Sequence, residues 1–185
     1  MTEQEVKLVI GGLLHDIGKV IYRTGDRRNH SKSGYDYLKE EIKIEDKEIL
    51  ESVLYHHASN IRSSNIQLNS YAYITYISDN IASAVDRRNS EEAIDYGFET
   101  SLPLQPVFNI IKGNHENKYY KPMMLQNEIN EPLEEKRPFE KSFYNEVKNK
   151  ITECLHSLEW NEHYINSLLS VLESTLSYVP SSTSK

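Results

Sequence analysis

Apolar side chains near the start of the chain recur at three- and four-residue steps, which is the spacing of one face of an α-helix. They are Val6, Val9, Ile10, Leu13, Ile17, Val20 and Ile21. This pattern predicts a first helix from about residue 3 to about residue 23. His15 and Asp16 would then lie side by side in the middle of that helix.

A polar turn is predicted next, through residues 25–29, and a second helix should follow it. Ser31 is the expected N-cap of this helix, because a serine hydroxyl can accept a hydrogen bond from a free N–H of the first turn. Tyr35 and Leu38 would lie on its apolar side. His30 is therefore expected just before the helix begins.

Two further amphipathic helices are predicted in the first half of the chain. The third should open near Asp46 and carry an apolar stripe made of Ile49, Leu50, Val53, Leu54 and His57. His56 and His57 would fall at its C-terminal end. The fourth carries Asp79 between Ser78 and Asn80, on a periodic run made of Tyr71, Ile74, Ile77, Ser78, Ile81, Ala84 and Val85.

The pattern changes between about residues 89 and 140, where prolines interrupt short runs of β-prone residues at 107–111 and around Tyr119. A small β-hairpin or an irregular insertion is expected around residues 100–135. Helical periodicity then resumes over about 143–158 and about 165–176. We expect a mostly α-helical bundle in one domain over residues 1–178, followed by a segment of linker composition at 179–185 that suggests a piece of a longer protein.

Composition limits the chemistry that such a domain can use. The chain has 185 residues, 38% of them hydrophobic and 26% charged, and it contains no apolar run of the roughly 18 residues that a membrane span needs. It also lacks a signal-peptide pattern, so a cytoplasmic location is expected. Cys154 is the only cysteine. An intrachain disulfide and a Cys-rich zinc site are therefore excluded, and any metal must be held by histidine and carboxylate.

The formal net charge of -7 argues against a broad basic surface that would bind nucleic acid. It does not exclude a nuclease. Bound divalent cations would reverse the local potential around clustered carboxylates.

Histidines and aspartates at the predicted helices point to a metal site. Adjacent residues on a helix point about 100 degrees apart, so the His15–Asp16 pair alone is weak evidence. Further histidines and an aspartate on the other predicted helices strengthen the evidence, since helices of a bundle can direct several such groups into one cavity. The candidate ligands are His15, Asp16, His30, His56, His57 and Asp79.

Each of these residues also has a structural interpretation. His30 could be an exposed turn residue, and the His56–His57 pair could stabilise a helix C-terminus through the macrodipole. A carboxylate such as Asp79 in an apolar helix is costly unless it is paired or coordinated. Lys19, one turn past His15, could contact a phosphate oxygen or simply face solvent.

A mixed set of imidazole and carboxylate ligands suits Mn, Fe, Co, Ni or Zn better than Mg or Ca. Six candidate ligands exceed what one tetrahedral ion requires. Two ions about 3.5 to 4 Å apart, bridged by a carboxylate and a water, would use them. Such a pair activates the shared water for attack on phosphorus and stabilises charge on the phosphate oxygens.

The His-Asp dipeptide, the following His-His pair and a later helical aspartate resemble the HD superfamily of metal-dependent phosphohydrolases. The longer set of motifs is similar to the N-terminal HD nuclease domain of the signature large subunit of type III-A CRISPR interference complexes. These motifs are Gly12–Lys19, His30–Gly34, His56–His57, Ser78–Ser83 and the exit Val179–Thr183.

This resemblance implies a single-stranded DNA nuclease, active with Mn, Ni or Co, inside a complex with guide RNA that target RNA switches on. Asp16 would be the bridging ligand, with His15 and Asp79 on one metal. His30, His56 and His57 would hold the other metal. The resemblance also implies a circularly permuted HD unit, in which one histidine ligand of the first metal lies downstream of the sequence that ends at Lys185.

Two alternatives remain open from the residues. The first is an HD phosphohydrolase of a small nucleotide, such as a cyclic dinucleotide or a deoxynucleoside triphosphate, because the same metal chemistry would serve. The second is a non-catalytic interaction module with a structural metal, which the acidic charge and the proline-rich middle segment would also fit.

Overall fold

A computed structural model of the chain describes residues 1–26, 28–86, 103–111, 117–157 and 162–179. The described residues are mostly helical, as predicted. A π-helical turn at Tyr37–Glu41 extends the third helix. The α-helices are α1 (Glu3–Leu14), α2 (Gly18–Arg23), α3 (His30–Asp36), α4 (Lys47–Leu54), α5 (Ala58–Arg62), α6 (Ala72–Asp86), α7 (Val107–Ile111), α8 (Lys141–His156) and α9 (Glu162–Leu176).

The single first helix predicted over about residues 3 to 23 is wrong, because the chain breaks it between Leu14 and Gly18. In this junction the backbone bonds three residues back: the Ile17 N–H donates to the Leu14 carbonyl at 3.0 Å and the Lys19 N–H to the Asp16 carbonyl at 2.9 Å. Such bonds are those of a tighter 3₁₀ turn. The His-Asp pair therefore lies in the junction between two helices.

Gly18, at the end of this junction, lies in close contact with the backbone of α3. A Cβ atom on Gly18 would lie 1.8 Å from the His30 carbonyl oxygen and 2.7 Å from the Gly34 backbone nitrogen. Only a residue without a side chain can bring α2 this close to α3. The contact places the end of the junction directly against the first turn of α3.

The N-cap of α3 is Asn29 instead of the predicted Ser31. The Asn29 side chain accepts a hydrogen bond from the Lys32 N–H at 2.8 Å, and its backbone is extended. Ser31 is buried inside the helix, at 1% exposure. His30 is consequently the first residue of α3, directly after the N-cap, and does not precede the helix as predicted.

The predicted start of the third helix is confirmed. The Asp46 side chain accepts from the Ile49 N–H at 3.2 Å and caps α4. The helix ends at Leu54, so His56 lies in the turn that follows, and His57 is the extended N-cap of α5. Both histidines thus come after the predicted helix instead of on its last turn.

The predicted fourth helix exists as α6, but its apolar stripe does not face the core. The side chains of Ile74, Ile77 and Ile81 are exposed, while Ala72 and Thr75 on the same helix are buried. Asp79 is therefore only partly buried, with 29% of its side-chain surface exposed. The apolar periodicity thus predicted the position of the helix correctly, but it predicted the wrong face as the buried one.

The described parts of the insertion predicted around residues 100–135 contain a short helix, α7, and one β-bridge. The β-prone run at 107–111 forms α7 instead of a strand, because the Asn109 N–H closes a helical turn onto the Pro106 carbonyl at 3.0 Å. Tyr119 and Leu133 form one antiparallel β-bridge. Residues 87–102 and 112–116, which belong to the same prediction, lie outside the described residues, as do residues 180–185 of the predicted linker.

One core joins the two ends of the chain. Leu14, Leu38 and Val53 from the first half are fully buried, as are Val147 on α8 and Leu168 on α9. The Tyr37 hydroxyl donates to the Thr152 hydroxyl at 2.8 Å and connects the π-helical turn to α8. Within the described residues, we find no helix with the length and apolar character needed to cross a membrane.

We predict that Gly18→Ala destabilises the chain by about 3 kcal/mol or more, because backbone atoms cannot yield to the new methyl group. The matched control is Gly12→Ala on α1, where a Cβ would meet nothing within 4 Å. This control should be neutral or stabilising by up to about 1 kcal/mol. Urea unfolding of both variants measures the difference, and equal stabilities would contradict the close contact.

Tyr37 should make stability sensitive to high pH. Burial raises the pKa of Tyr37 to about 12. A tyrosine in an unfolded chain ionises near pH 10, so stability is complete below about pH 10 and falls as the pH rises toward 12. Tyr37→Phe should lose about 1 kcal/mol at neutral pH and show a smaller alkaline loss. Denaturant unfolding between pH 8 and 12 tests this, and an unchanged alkaline loss would refute it.

Candidate metal centre

All six predicted ligands meet in one place, where they form two groups. His15, Asp16 and Asp79 make the first group, and three histidines make the second, namely His30, His56 and His57. Within each group the ligand atoms lie within 4.8 Å of one another. These residues come from the α1–α2 junction, the start of α3, the turn between α4 and α5, and α6.

Asp16 lies between the two groups and faces both of them. Its Oδ2 atom is 3.3 Å from Nε2 of His15. Its Oδ1 atom is 3.4 Å from Nε2 of His30 and 3.6 Å from Nε2 of His56. A carboxylate that presents one oxygen to each group has the arrangement needed to bridge two ions.

Backbone carbonyls orient two of the imidazole rings. Nδ1 of His15 lies 2.6 Å from the Gly12 carbonyl oxygen, and Nδ1 of His56 lies 2.7 Å from that of Val53. Since a carbonyl can only accept, each Nδ1 carries a proton. In the neutral form of either ring, the Nε2 lone pair is then directed into the site. This is the usual orientation device of metal-binding histidines.

The remaining contacts leave atoms in the site that a cation would satisfy. Nε2 of His15 and Oδ1 of Asp16 are buried without a hydrogen-bond partner. Nε2 of His30 lies 3.2 Å from that of His56 and 2.8 Å from that of His57. Three converging imidazole nitrogens and an unpaired buried carboxylate oxygen suit a divalent transition metal. The donor set therefore fits the predicted cofactor.

Burial and mutual repulsion keep the histidine group neutral. Burial and the neighbouring His57 and His15 lower the pKa of His56 to about 3. Burial, with the same repulsion, lowers the pKa of His30 to about 4, and burial also lowers the pKa of His57. Neutral imidazole is the form that binds metal, so no proton has to leave these rings at neutral pH.

In the first group, the pKa of the histidine is shifted in the opposite direction. Burial would lower the pKa of His15, but the Asp16 and Asp79 carboxylates outweigh it and raise the pKa. Burial likewise opposes ionisation of Asp16, yet His15 and Lys19 hold the pKa of that carboxyl well below its usual range. The site thus contains a firmly ionised aspartate beside a histidine that favours its charged form.

Lys19 contacts the site directly. Its ammonium nitrogen donates to Oδ2 of Asp16 at 2.5 Å, and 36% of its side chain is exposed. This position matches the predicted turn past His15, but the ammonium is paired with a carboxylate instead of being free in solvent.

Two orienting groups could not be found by sequence reasoning. The carbonyls of Gly12 and Val53 hold the rings of His15 and His56. Every residue has a carbonyl, so side-chain identity carries no signal for this role. The spacing of three residues between acceptor and histidine is the one hint that the sequence contains.

Comparison with known proteins gives a consistent set of similarities. The family model of the HD domain matches residues 1–142. The chain is 37% identical over 191 residues to the CRISPR system single-strand-specific deoxyribonuclease Cas10/Csm1 (subtype III-A) of Streptococcus thermophilus, covering 99% of this chain and 25% of that relative. The protein of the same description from Mycobacterium tuberculosis is 34% identical, with 99% of this chain and 26% of that relative covered.

Solved structures agree on the fold. Csm1 of T. onnurineus superposes with a TM-score of 0.70 and 26% identity, over 100% of this chain and 25% of that chain. A Csm1–Csm4 subcomplex of the type III-A CRISPR-Csm interference complex gives a TM-score of 0.65 at 23% identity, over 97% of this chain and 24% of that chain. The chain therefore spans about a quarter of the relatives that it matches.

The two groups should titrate separately in the metal-free chain. We predict that His15 keeps its proton to a higher pH than a free imidazole, while His30 loses its proton near pH 4 and His56 near pH 3. Asp16→Asn should lower the pKa of His15, because Asp16 makes the main contribution that raises it. Nitrogen-detected NMR of the imidazoles measures this, and His15 titrating together with His56 would disprove the arrangement.

Proposed function

Because the chain belongs to the HD domain family, we propose that it hydrolyses phosphodiester bonds in single-stranded DNA with two divalent transition-metal ions. HD domains bind divalent metals, and the two ligand groups provide the histidines and carboxylates for them. Mn, Ni or Co are the proposed ions, with Fe or Zn as further possibilities of the same ligand chemistry. The observation that carries the proposal is the Asp16 carboxylate facing both groups.

Each ligand residue then has a defined role. His15, Asp16 and Asp79 would hold one ion and His30, His56 and His57 the other, and Asp16 would be the ligand shared between them. Ions held there would polarise the phosphate and lower the pKa of the attacking water. The neutral histidine group binds without first losing protons, and the Gly12 and Val53 carbonyls keep the rings in place.

Lys19 balances the charge of Asp16 and positions the phosphate. Its ammonium already lies against Oδ2 of Asp16. Cations at the two groups would take over that charge balance, and the flexible lysine chain can then reach a phosphate oxygen at the rim of the site. Lys19 thus supplies a positive charge to the substrate in a chain whose net charge is -7.

The choice of substrate and partners is supported by the relatives. Their names describe single-strand-specific deoxyribonucleases of subtype III-A, and solved structures include Csm1–Csm4 assemblies. We propose that residues 1–178 are the nuclease domain of such a subunit, acting with other subunits, guide RNA and target RNA in antiviral defence. The similarity to the Streptococcus thermophilus relative covers 99% of this chain and 25% of that relative.

The double change His15→Ala with Asp16→Ala should reduce Mn-dependent cleavage of single-stranded DNA by at least about 100-fold, because it removes the bridge and one ligand. The matched control is Glu153→Ala with His156→Ala, which removes the same two chemical groups from the exposed side of α8. Gel assays of a labelled oligonucleotide measure cleavage, and circular dichroism confirms that both variants stay helical. Undiminished cleavage by the first variant would refute the assignment.

The same assay separates the alternative functions. Rates on free deoxynucleoside triphosphates and cyclic dinucleotides are compared with rates on single-stranded DNA, each with Mn²⁺ and with a chelator. Faster turnover of the nucleotides would assign the site to a small-nucleotide phosphohydrolase. Calorimetrically detected Mn²⁺ binding without hydrolysis of any of these substrates would assign it to a non-catalytic module.

A further inference from the structure

A second surface of the domain carries the features of a nucleic-acid subsite. A cavity of about 460 Å³ opens between the π-helical turn that follows α3 and the helix α4. Its floor is apolar, formed by Ile44 and Leu50, which are 5% and 6% exposed, and by Leu54. This volume lies within the range of small-ligand pockets, and the floor offers apolar atoms for a ring to lie against.

Aromatic rings and lysines make up the walls. Tyr35 and Tyr55 line the cavity, and the exposed lysines at its rim are Lys39, Lys43 and Lys47. The ammonium group of Lys39 lies 5.4 Å from the centre of the Tyr35 ring and 3.1 Å from its hydroxyl oxygen. Rings on which a base can stack, next to cations that a phosphate can contact, are the elements of single-strand binding.

The two carboxylates in the lining do not cancel this character. Glu51 accepts a hydrogen bond from the Ser70 hydroxyl at 2.6 Å and lies 3.6 Å from Lys47, so its charge is already shared. Glu45 is exposed at the rim. Among the residues that line the cavity, three are lysines and two are glutamates.

The backbone at Lys43 provides an independent observation. Lys43 has a φ of 66°, and among the described residues other than glycine it alone has a positive φ. The Ile44 N–H donates to the Leu38 carbonyl at 2.9 Å, which closes a helix end of the kind that usually has glycine at this position. A lysine here is strained, and such strain is typical of functional positions. π-Helical turns such as Tyr37–Glu41 are also frequent at functional sites.

The cavity is connected to the metal centre by the chain itself. Tyr55 directly precedes His56, so their Cα atoms are about 3.8 Å apart. Tyr35 lies five residues after His30 on the same helix, which is about 7.5 Å along its axis. The cavity and two of the candidate ligands therefore lie on the same two segments of the chain.

We propose that this cavity binds a nucleobase and the neighbouring phosphates of single-stranded DNA, a few nucleotides from the bond that is cut. The proposal rests on the function proposed above and adds a substrate-positioning site to it. Tyr35 and Tyr55 stack on the base, the apolar floor excludes water, and Lys39, Lys43 and Lys47 contact the phosphates. Affinity for long strands then depends on this cavity, while the chemistry depends on the metal centre.

Lys43→Gly gives the sharpest test, because it should improve the fold and impair binding. Glycine relieves the positive φ, so the melting temperature should rise, while loss of one phosphate contact should lower the salt dependence of log K by about 0.7 and weaken binding severalfold. Binding is measured by fluorescence anisotropy with a labelled oligothymidylate of about 12 nucleotides in EDTA. The control Lys136→Gly removes the same charge from an exposed loop position.

Tyr35→Leu tests the stacking surface separately. It keeps an apolar side chain against the core and should weaken oligonucleotide binding about tenfold. Phe108→Leu on α7, where Phe108 is 61% exposed, is the aromatic control and should leave binding unchanged. Mn-dependent hydrolysis of bis(p-nitrophenyl) phosphate, which is too small to reach the cavity, should be the same in all of these variants.

The outcomes are distinguishable from those of the nuclease assay. Failure of the wild-type chain to hydrolyse any phosphodiester would refute the proposed function. The binding data, which are collected without metal, would still test the cavity on their own. Absence of oligonucleotide binding by the wild type, or equal losses in the cavity variants and their controls, would overturn the cavity proposal. It would also be overturned if poly-Glu bound as tightly with the same sensitivity to Lys43→Gly, since the surface would then serve an acidic protein partner.

Discussion

The contact of Gly18 with the first turn of α3 is the constraint on which the site depends. It lets two backbones approach more closely than any side chain would allow, with the His30 carbonyl and the Gly34 nitrogen directly against Gly18. The junction before Gly18 is therefore held next to the start of α3. As a result, Asp16 in the junction and His30 at the helix start come within 3.4 Å, although they are remote in the sequence.

Charge balance within the site follows from that geometry. One firmly ionised carboxylate, Asp16, faces a histidine group that burial keeps neutral, while Lys19 supplies the nearest positive charge. An anionic substrate can approach such a site when cations occupy it, because they reverse the sign of the local field. The negative net charge of the chain and the proposed action on DNA are then compatible. The lysines that line the cavity around Lys43 provide a second place where positive groups can meet an anionic strand.

The extent of the folded domain exceeds the part that matches the family. The HD match ends at residue 142, yet α8 and α9 bury Val147 and Leu168 in the same core as Leu14 and Val53. α9 packs on α1 and α8 packs on α2, so the late helices support the two helices that flank the His-Asp junction. The rigidity of the ligand arrangement thus depends on residues that contribute no ligand.

The sequence by itself determined the helical class and most helix positions, and it pointed to the six residues that the structure brings together, because periodicity and residue chemistry are local properties of the chain. It could not determine the break before Gly18, the exposed stripe of Ile74, Ile77 and Ile81, or the helical state of the run at 107–111. These features depend on which surfaces meet in three dimensions. The tertiary structure alone decided that Asp16 faces both ligand groups, since that requires a backbone contact between segments that local pattern does not connect.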